Sequence, residues 1–305
     1  MSEISIIGGI NVDIEGAPYG ELVFQDSNPG RISISFGGVG RNITENIVRM
    51  GGSVALISVA GEDFAGIEAK EYLDRLGVNT KHIRLLPDQN TAMYLSILNN
   101  KNDMELAICN MDILENITSE FIDDKALFLA KSKMVALDCN LSFETLDYIT
   151  DTLKGTPLFL DPVSAAKANR IRPIIGRFHT IKPNRIEAEI ISGIKIVDET
   201  SLHEAGMWFL EKGVKQVFIS LSQKGVYFLD RRNEGILSPG SIDIVSATGA
   251  GDAFSAAVIL GTVEGMPIKE IAKFGMASAE VAMESKTAVN IKINKTEIIR
   301  RMKNV

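Results

Sequence analysis

Thr248, Gly249, Ala250, Gly251 and Asp252 stand directly before Ala253–Leu260, a run that is almost wholly apolar. A helix that is apolar all round is a buried one, so the run predicts a buried helix with the glycines at its start. The first N–H groups of a helix have no partner inside it and carry the positive end of its dipole. Gly249 and Gly251 lack the side chains that would keep a phosphate away from those groups. The expected result is an anion hole for charge that develops on a transferring phosphoryl group, where one such donor contributes about 2.7–4 kcal/mol. Asp252 adds a carboxylate able to take the proton of an attacking hydroxyl. The helix end favours its ionised form, which predicts a weak base that is always available. The same residues also suit a glycine turn with an aspartate capping a helix, without chemistry. The chain has no Gly-Lys-Ser/Thr phosphate loop and no three-glycine dinucleotide fingerprint.

Such a turn needs a scaffold to bring other groups to it. Apolar runs at Ile4–Ile7, Val54–Val59, Met134–Leu137, Leu158–Leu160, His179–Ile181 and Val217–Leu221 read as strands, most of them followed by a helical stretch. One such stretch, Val39–Met50, has Ile43, Ile47 and Met50 at helical spacing and stops at Gly51-Gly52. Ala65–Leu76 is a second predicted helix, closed by Gly77. Repeated strand–helix alternation predicts a mainly parallel sheet with helices on both faces. Two stretches, about 14–36 and 91–110, are turn-rich and alternating instead, and predict a small β-rich lid inserted in the α/β core. Polar residues cluster where the predicted strands end: Asn11 and Asp13, Asp138 and Asn140, Asp161 and Ser164, Asn184 and Glu187, Ser222 and Gly225. Ligands of open parallel sheets bind at those ends. Each residue alone is better explained as a helix cap, but together they favour a site.

The whole chain narrows the partners. It has 305 residues and a formal net charge of -7, with no basic cluster, which argues against nucleic acid or an anionic membrane surface. Met1-Ser2-Glu3 starts no signal peptide and no apolar stretch is long enough to cross a bilayer, so a cytoplasmic protein is expected. Cys109 and Cys139 are far apart and in no metal pattern, and are expected as buried free thiols. His82, His179 and His203 have no metal spacing, and Trp208 is expected in the core.

Ala247-Thr248-Gly249-Ala250-Gly251-Asp252-Ala253-Phe254 resembles the C-terminal signature of the ribokinase-like (PfkB) carbohydrate kinases. Gly37-Gly38-Val39-Gly40-Arg41-Asn42 resembles their N-terminal signature, and Lys182-Pro183-Asn184-Arg185-Ile186-Glu187 their Asn-x-x-Glu element, in the family's order and spacing. The resemblance covers nearly the whole chain. It implies a ribokinase-like doubly wound α/β fold with a lid, residues 1–305 forming one kinase domain. It implies Asp252 as general base and the N–H groups of Gly249, Ala250 and Gly251 as the phosphoryl cradle. Asn184 and Glu187 would organise Mg²⁺ and the ATP phosphates, partly through water. Ser222–Gly225, with Ser220 and Thr248, would border the nucleotide. Asn11, Asp13 and Asn42 would hold sugar hydroxyls near the Gly37-Gly38 backbone. Ser246 stands where many relatives carry an acid that helps bind a monovalent cation, which leaves potassium activation open. Relatives often pair their lids in a homodimer.

Within the family, Asn28-Pro29-Gly30, the run Ser35–Asn46, Asp161–Ala168 and His179–Arg185 resemble the pseudouridine kinase branch, as does Leu106–Met111. That branch implies phosphorylation of a nucleoside 5′-hydroxyl. Lys167 would then donate to a carbonyl of the base, Ser164 would add a hydroxyl, and Met111 would pack on the base face. A solvated helix residue is the plain alternative for Lys167, and core packing the plain alternative for Met111. A ribokinase or fructokinase acting on a free sugar, and a silent sugar- or nucleotide-binding regulator, are the other readings of the same motifs.

Overall fold

The computed structural model describes residues 3–240 and 244–304. Met1 and Ser2, on which the leader reading leaned, lie outside them. Strands in chain order are β1 (Ile4–Ile7), β2 (Asn11–Pro18), β3 (Gly30–Gly37), β4 (Val54–Gly61), β5 (Ile83–Leu86), β6 (Ala92–Leu98) and β7 (Met104–Asn110). They continue with β8 (Met134–Asp138), β9 (Leu158–Asp161), β10 (Thr180–Ile181), β11 (Gln216–Ser220), β12 (Val226–Leu229) and β13 (Glu234–Leu237). Five helices matter to the site: α1 (Val39–Arg49), α2 (Phe64–Arg75), α3 (Arg185–Ser192), α4 (Ala250–Val263) and α5 (Ile268–Met283).

Residues of β1, β4, β8 and β9 are buried throughout, as strands covered on both faces must be. They belong to a nine-stranded sheet in the order β13-β12-β11-β10-β9-β8-β1-β4-β5. It is parallel from β5 to β11 and antiparallel only at β12 and β13. This is the doubly wound sheet expected from the alternation. The chain runs outward from β1 to β4 and β5 on one side and returns to β8 on the other. The order therefore reverses beside β1, the place where such sheets hold ligands. Two apolar cores cover the faces, one including Phe121, Ile149, Ile174 and Phe209, the other Ile47, Phe254, Val258 and Phe274. The second contains α4, buried from Ala253 to Gly261, which leaves its first turn directed at the strand ends.

Strands β3-β2-β6-β7 form a separate four-stranded sheet from the two turn-rich stretches. Its residues alternate strictly. Ile14, Ile32, Ile34, Leu95, Ile97, Leu106 and Ile108 share one face, while Asp13, Ser33, Ser35, Tyr94, Ser96 and Cys109 share the other. Asn11 and Asp13 thus belong to β2 itself, not to a loop after β1. Cys109 is exposed on the polar face, contrary to the expected buried thiol, and only Cys139 is buried. Trp208 is half-buried rather than core, its ring flanked by the Arg172 guanidinium and the Lys212 ammonium. No helix among the described residues is long and apolar enough to cross a membrane.

Candidate active site

Close backbone crossings bring the pieces together. Gly38, with φ at 98°, begins α1 where an added Cβ would lie 2.3 Å from the Gly9 carbonyl oxygen. The end of β1 and the start of α1 touch there without side chains between them. Gly37 has a different reason for its missing side chain. A Cβ would meet Asp13 Oδ2 at 2.3 Å and Asn11 Nδ2 at 2.7 Å, so glycine lets both polar groups lie against the backbone. Asn11 Nδ2 donates to Asp13 Oδ1 at 2.6 Å. Burial raises the Asp13 pKa against the opposing influence of Asn11 and Arg41.

Asn11, Asp13, Gly38, Asn42 and Met111 line one cavity of about 230 Å³ at the ends of the central strands. Gly37 borders it through Asp13 and Asn11. Asn140, one of the polar residues at the strand ends, lies in the same wall, together with Tyr94, Leu114 and Val163, which the sequence did not single out. Val163 has φ at 67°, an outlier for a β-branched residue, in the turn after β9. Lys167 and Ser164 are not part of that wall. Lys167 Nζ instead donates to Asn140 Oδ1, so it acts on the cavity through a second side chain. Ser164 begins a one-turn helix and makes no capping bond with its side chain.

Asp252 occupies the first turn of α4, and Asn42 Nδ2 donates to its Oδ2 at 2.7 Å. Its pKa is pushed up to about 7 by burial, with the Asp161 carboxylate adding to the rise and Asn42, Lys182 and Arg41 opposing it. The expectation of an always ionised base left out burial and the second acid, which both act against ionisation. The helix end is outweighed by loss of water and by a second acid. Gly249 has φ at 80°, and a Cβ on it would strike the Ala288 carbonyl oxygen at 1.8 Å, so backbone packing alone requires glycine here. Gly251 is different: the nearest atom to its imagined Cβ is Lys182 Nζ at 3.4 Å. No side chain caps this end of α4, and the Ala250 N–H donates to the Ala247 carbonyl oxygen at 3.4 Å in the turn before it.

Lys182 is the residue whose weight the sequence reading missed. It is 8 % exposed and pairs with Asp161 at 2.9 Å, whose carboxylate also accepts from Ser255 Oγ at 2.8 Å. Asp161, Glu187 and Asp252 together raise its pKa over the opposing effect of burial, which keeps it charged. A lysine is almost never this buried without a partner, so a lysine closing a buried strand was the available signal.

Asn184 and Glu187 form a reciprocal cap on α3. Asn184 Oδ1 accepts from the Glu187 N–H at 2.9 Å, and Glu187 Oε2 accepts from the Asn184 N–H at 2.8 Å. Burial raises the Glu187 pKa, and Asp161 adds to it. One buried carboxylate with negative charge beside it is a place for a cation. No three-acid cluster able to cage a metal occurs among the described residues. That set fits a magnesium ion that keeps most of its water and is carried by phosphates. Ser220 lies beside Asn184 through an isolated parallel bridge. Ser222 (φ 55°) and Gly225 (φ 94°) form the turn after it, but Gly225 is required by the Leu237 carbonyl oxygen, 1.8 Å from its imagined Cβ. Thr248 is exposed, and its N–H donates to Ser246 Oγ at 3.1 Å, so the Ser246 hydroxyl closes a turn.

The pfkB family carbohydrate kinase model matches residues 1–295. The chain is 35% identical to pseudouridine kinase of Escherichia coli K12 over 302 residues, covering 99% of this chain and 96% of that one. It is 29% identical to guanosine-inosine kinase of Exiguobacterium acetylicum, covering 92% and 94%. Arabidopsis thaliana ribokinase, solved with ribose and ATP, superposes with a TM-score of 0.90 at 21% identity, covering 99% of this chain, and so shares its fold. With these matches over its length, the chain belongs to the pfkB family of carbohydrate kinases, as an ATP-dependent phosphotransferase that acts on a hydroxyl group of a sugar or nucleoside.

Proposed function

We propose that the protein transfers the γ-phosphoryl group of ATP to the 5′-hydroxyl of pseudouridine, giving the 5′-phosphate and ADP. The observation that carries this reading is the hydrogen bond from Asn42, in the cavity wall, to Asp252, whose pKa burial pushes up to about 7. A base with that pKa serves best at neutral pH. Asp252 takes the proton of the attacking hydroxyl as oxygen bonds to phosphorus and ADP leaves. Charge on the phosphoryl oxygens is met by the N–H groups of Gly249, Ala250 and Gly251 and by the Lys182 ammonium. Glu187, with Asn184, would hold Mg²⁺ through water, and the ion would neutralise phosphate charge. Ser220, Ser222, Gly225 and Thr248 would border the nucleotide. No carboxylate at Ser246 is available to a monovalent cation.

The ribose part of the acceptor fits Asn11, Asp13 and Asn42, because an ionised carboxylate accepts from adjacent hydroxyls. Pseudouridine is favoured by the 35% identity to a pseudouridine kinase over almost all of both chains. Met111 and Tyr94 offer surfaces for a base, and Lys167 reaches the cavity through Asn140. The small sheet would act as the lid of a single kinase domain. Its exposed apolar face, with Ile32 71% and Ile34 69% exposed, would be covered by a second copy in a homodimer. Two free cysteines and ATP as donor fit a cytoplasmic enzyme.

ADP release with magnesium-ATP, measured against pseudouridine, uridine, guanosine, ribose and fructose, tests the acceptor. The highest kcat/KM is expected with pseudouridine. A higher value with ribose or fructose would make this a sugar kinase.

A further inference from the structure

Arg41 precedes Asn42 on α1 and is 3% exposed. Its Nη1 forms a buried ion pair with Glu45. Its Nη2 donates to the Phe36 carbonyl at 2.7 Å and also to Asn42 Oδ1. Glu45 is shared further, accepting from Arg49 Nε at 2.7 Å and from the Tyr72 hydroxyl at 2.7 Å. Arg41 Nε is buried without a hydrogen-bond partner among the described residues. A buried guanidinium with an unmatched N–H is a poor stabiliser, since desolvation offsets much of its pairing. Glu45 would keep Arg49 and Tyr72 without it. Stability alone does not account for its place.

A primary amide has an acceptor end and a donor end. With Oδ1 of Asn42 held by Arg41, its Nδ2 must point the other way, where it meets Asp252 Oδ2. Turned over, the same amide would set its oxygen against the carboxylate and repel it. We propose that Arg41 is a positioning residue for phosphoryl transfer: it fixes the orientation of the Asn42 amide, and so aims the Asp252 carboxylate. Its bond to the Phe36 carbonyl ties that arrangement to the last turn of chain in β3, where the small sheet joins the body. The groups that face Asp252 are Asn42 and Arg41 from α1, Asp161 from the end of β9 and Lys182 from beyond β10. Asn42 and Arg41 both favour its ionised form. Losing the correct amide orientation therefore makes Asp252 harder to ionise.

This inference rests on Asp252 being the base, which the Asp252→Asn variant tests separately. The experiment is a double-mutant cycle on the full chain: wild type, Arg41→Lys, Asn42→Ala and both together. Each is assayed with magnesium-ATP and the acceptor that the wild type phosphorylates fastest, so an error about pseudouridine does not affect it. Lysine keeps the charge beside Glu45 but cannot serve Glu45, Phe36 and Asn42 at once. Arg41→Lys is expected to lower kcat about tenfold with KM for ATP unchanged, and to move the acid limb of kcat/KM to higher pH. In the Asn42→Ala background the same change is expected to have almost no further effect. Losses that multiply independently would overturn the proposal, as would wild-type kcat and an unmoved limb in Arg41→Lys. If Arg41→Lys does not fold, Arg41→Gln takes its place in the cycle with the same two outcomes.

Discussion

At Asp252 two electrostatic influences compete, and for the proposed base their balance would set the pH at which it works. The start of α4 favours the carboxylate, while burial and Asp161 disfavour it and raise the pKa from 3.8 to about 7. The base is active only when ionised, so kcat/KM is expected to rise with pH through an acid limb centred near 7. A limb near 4, measured as kcat/KM against pH, would mean that Asp252 is as solvated as an ordinary aspartate. The turn itself was visible in the sequence as a glycine-rich helix start, and its resemblance to a family signature, not the glycines alone, set it apart from a plain cap. Its electrostatics were not, because Asp161, Lys182 and Asn42 reach it from strands and a helix far away in the chain. Lys182 was overlooked for the same reason. A lysine between a strand and a proline looks like surface until the sheet is assembled around it.

Among the elements, α3 carries a reciprocal cap at the two residues proposed to hold Mg²⁺ and the ATP phosphates. Asn184 and Glu187 satisfy each other's backbone N–H groups and also face the cleft with a buried carboxylate. The two roles separate by substitution. Asn184→Ala is expected to cost about 0.5–2 kcal/mol of stability. Asn184→Ser keeps a capping oxygen and is expected to retain the wild-type melting temperature while raising KM for magnesium-ATP. Thermal unfolding and ATP kinetics of both variants check this, and unchanged ATP kinetics in Asn184→Ser would leave the residue as a cap only. Central elements were legible because strands such as β4 and β8 are apolar runs with helical stretches after them. The edge strands β5 and β13 were not. Arg84 in β5 and Glu234 in β13 are exposed, and edge strands carry too little continuous apolar character to announce themselves. Gly225 was read as part of a ligand turn, and that the approach of Leu237 also requires glycine there needed the neighbouring strand to be seen.

For the whole molecule, the small sheet carries different chemistry on its two faces. Asp13 and Tyr94 line the cavity at the strand ends, while Ile32, Ile34, Leu106 and Ile108 lie exposed on the opposite side. Strict alternation made both faces readable from the residues, but not what covers the apolar one. The wild type is expected to sediment as a dimer, and Ile34→Glu as a monomer; a monomeric wild type at assay concentration would contradict this. The account as a whole stands on phosphoryl transfer to the 5′-oxygen of pseudouridine with Asp252 as base. Phosphorus NMR of the product made from magnesium-ATP and pseudouridine tests that directly. The expected result is a 5′-phosphate monoester from the wild type, formed roughly 10²–10⁴-fold more slowly by Asp252→Asn. A phosphate elsewhere on the nucleoside, no phosphorylated nucleoside at all, or an Asp252→Asn enzyme as fast as wild type would contradict it.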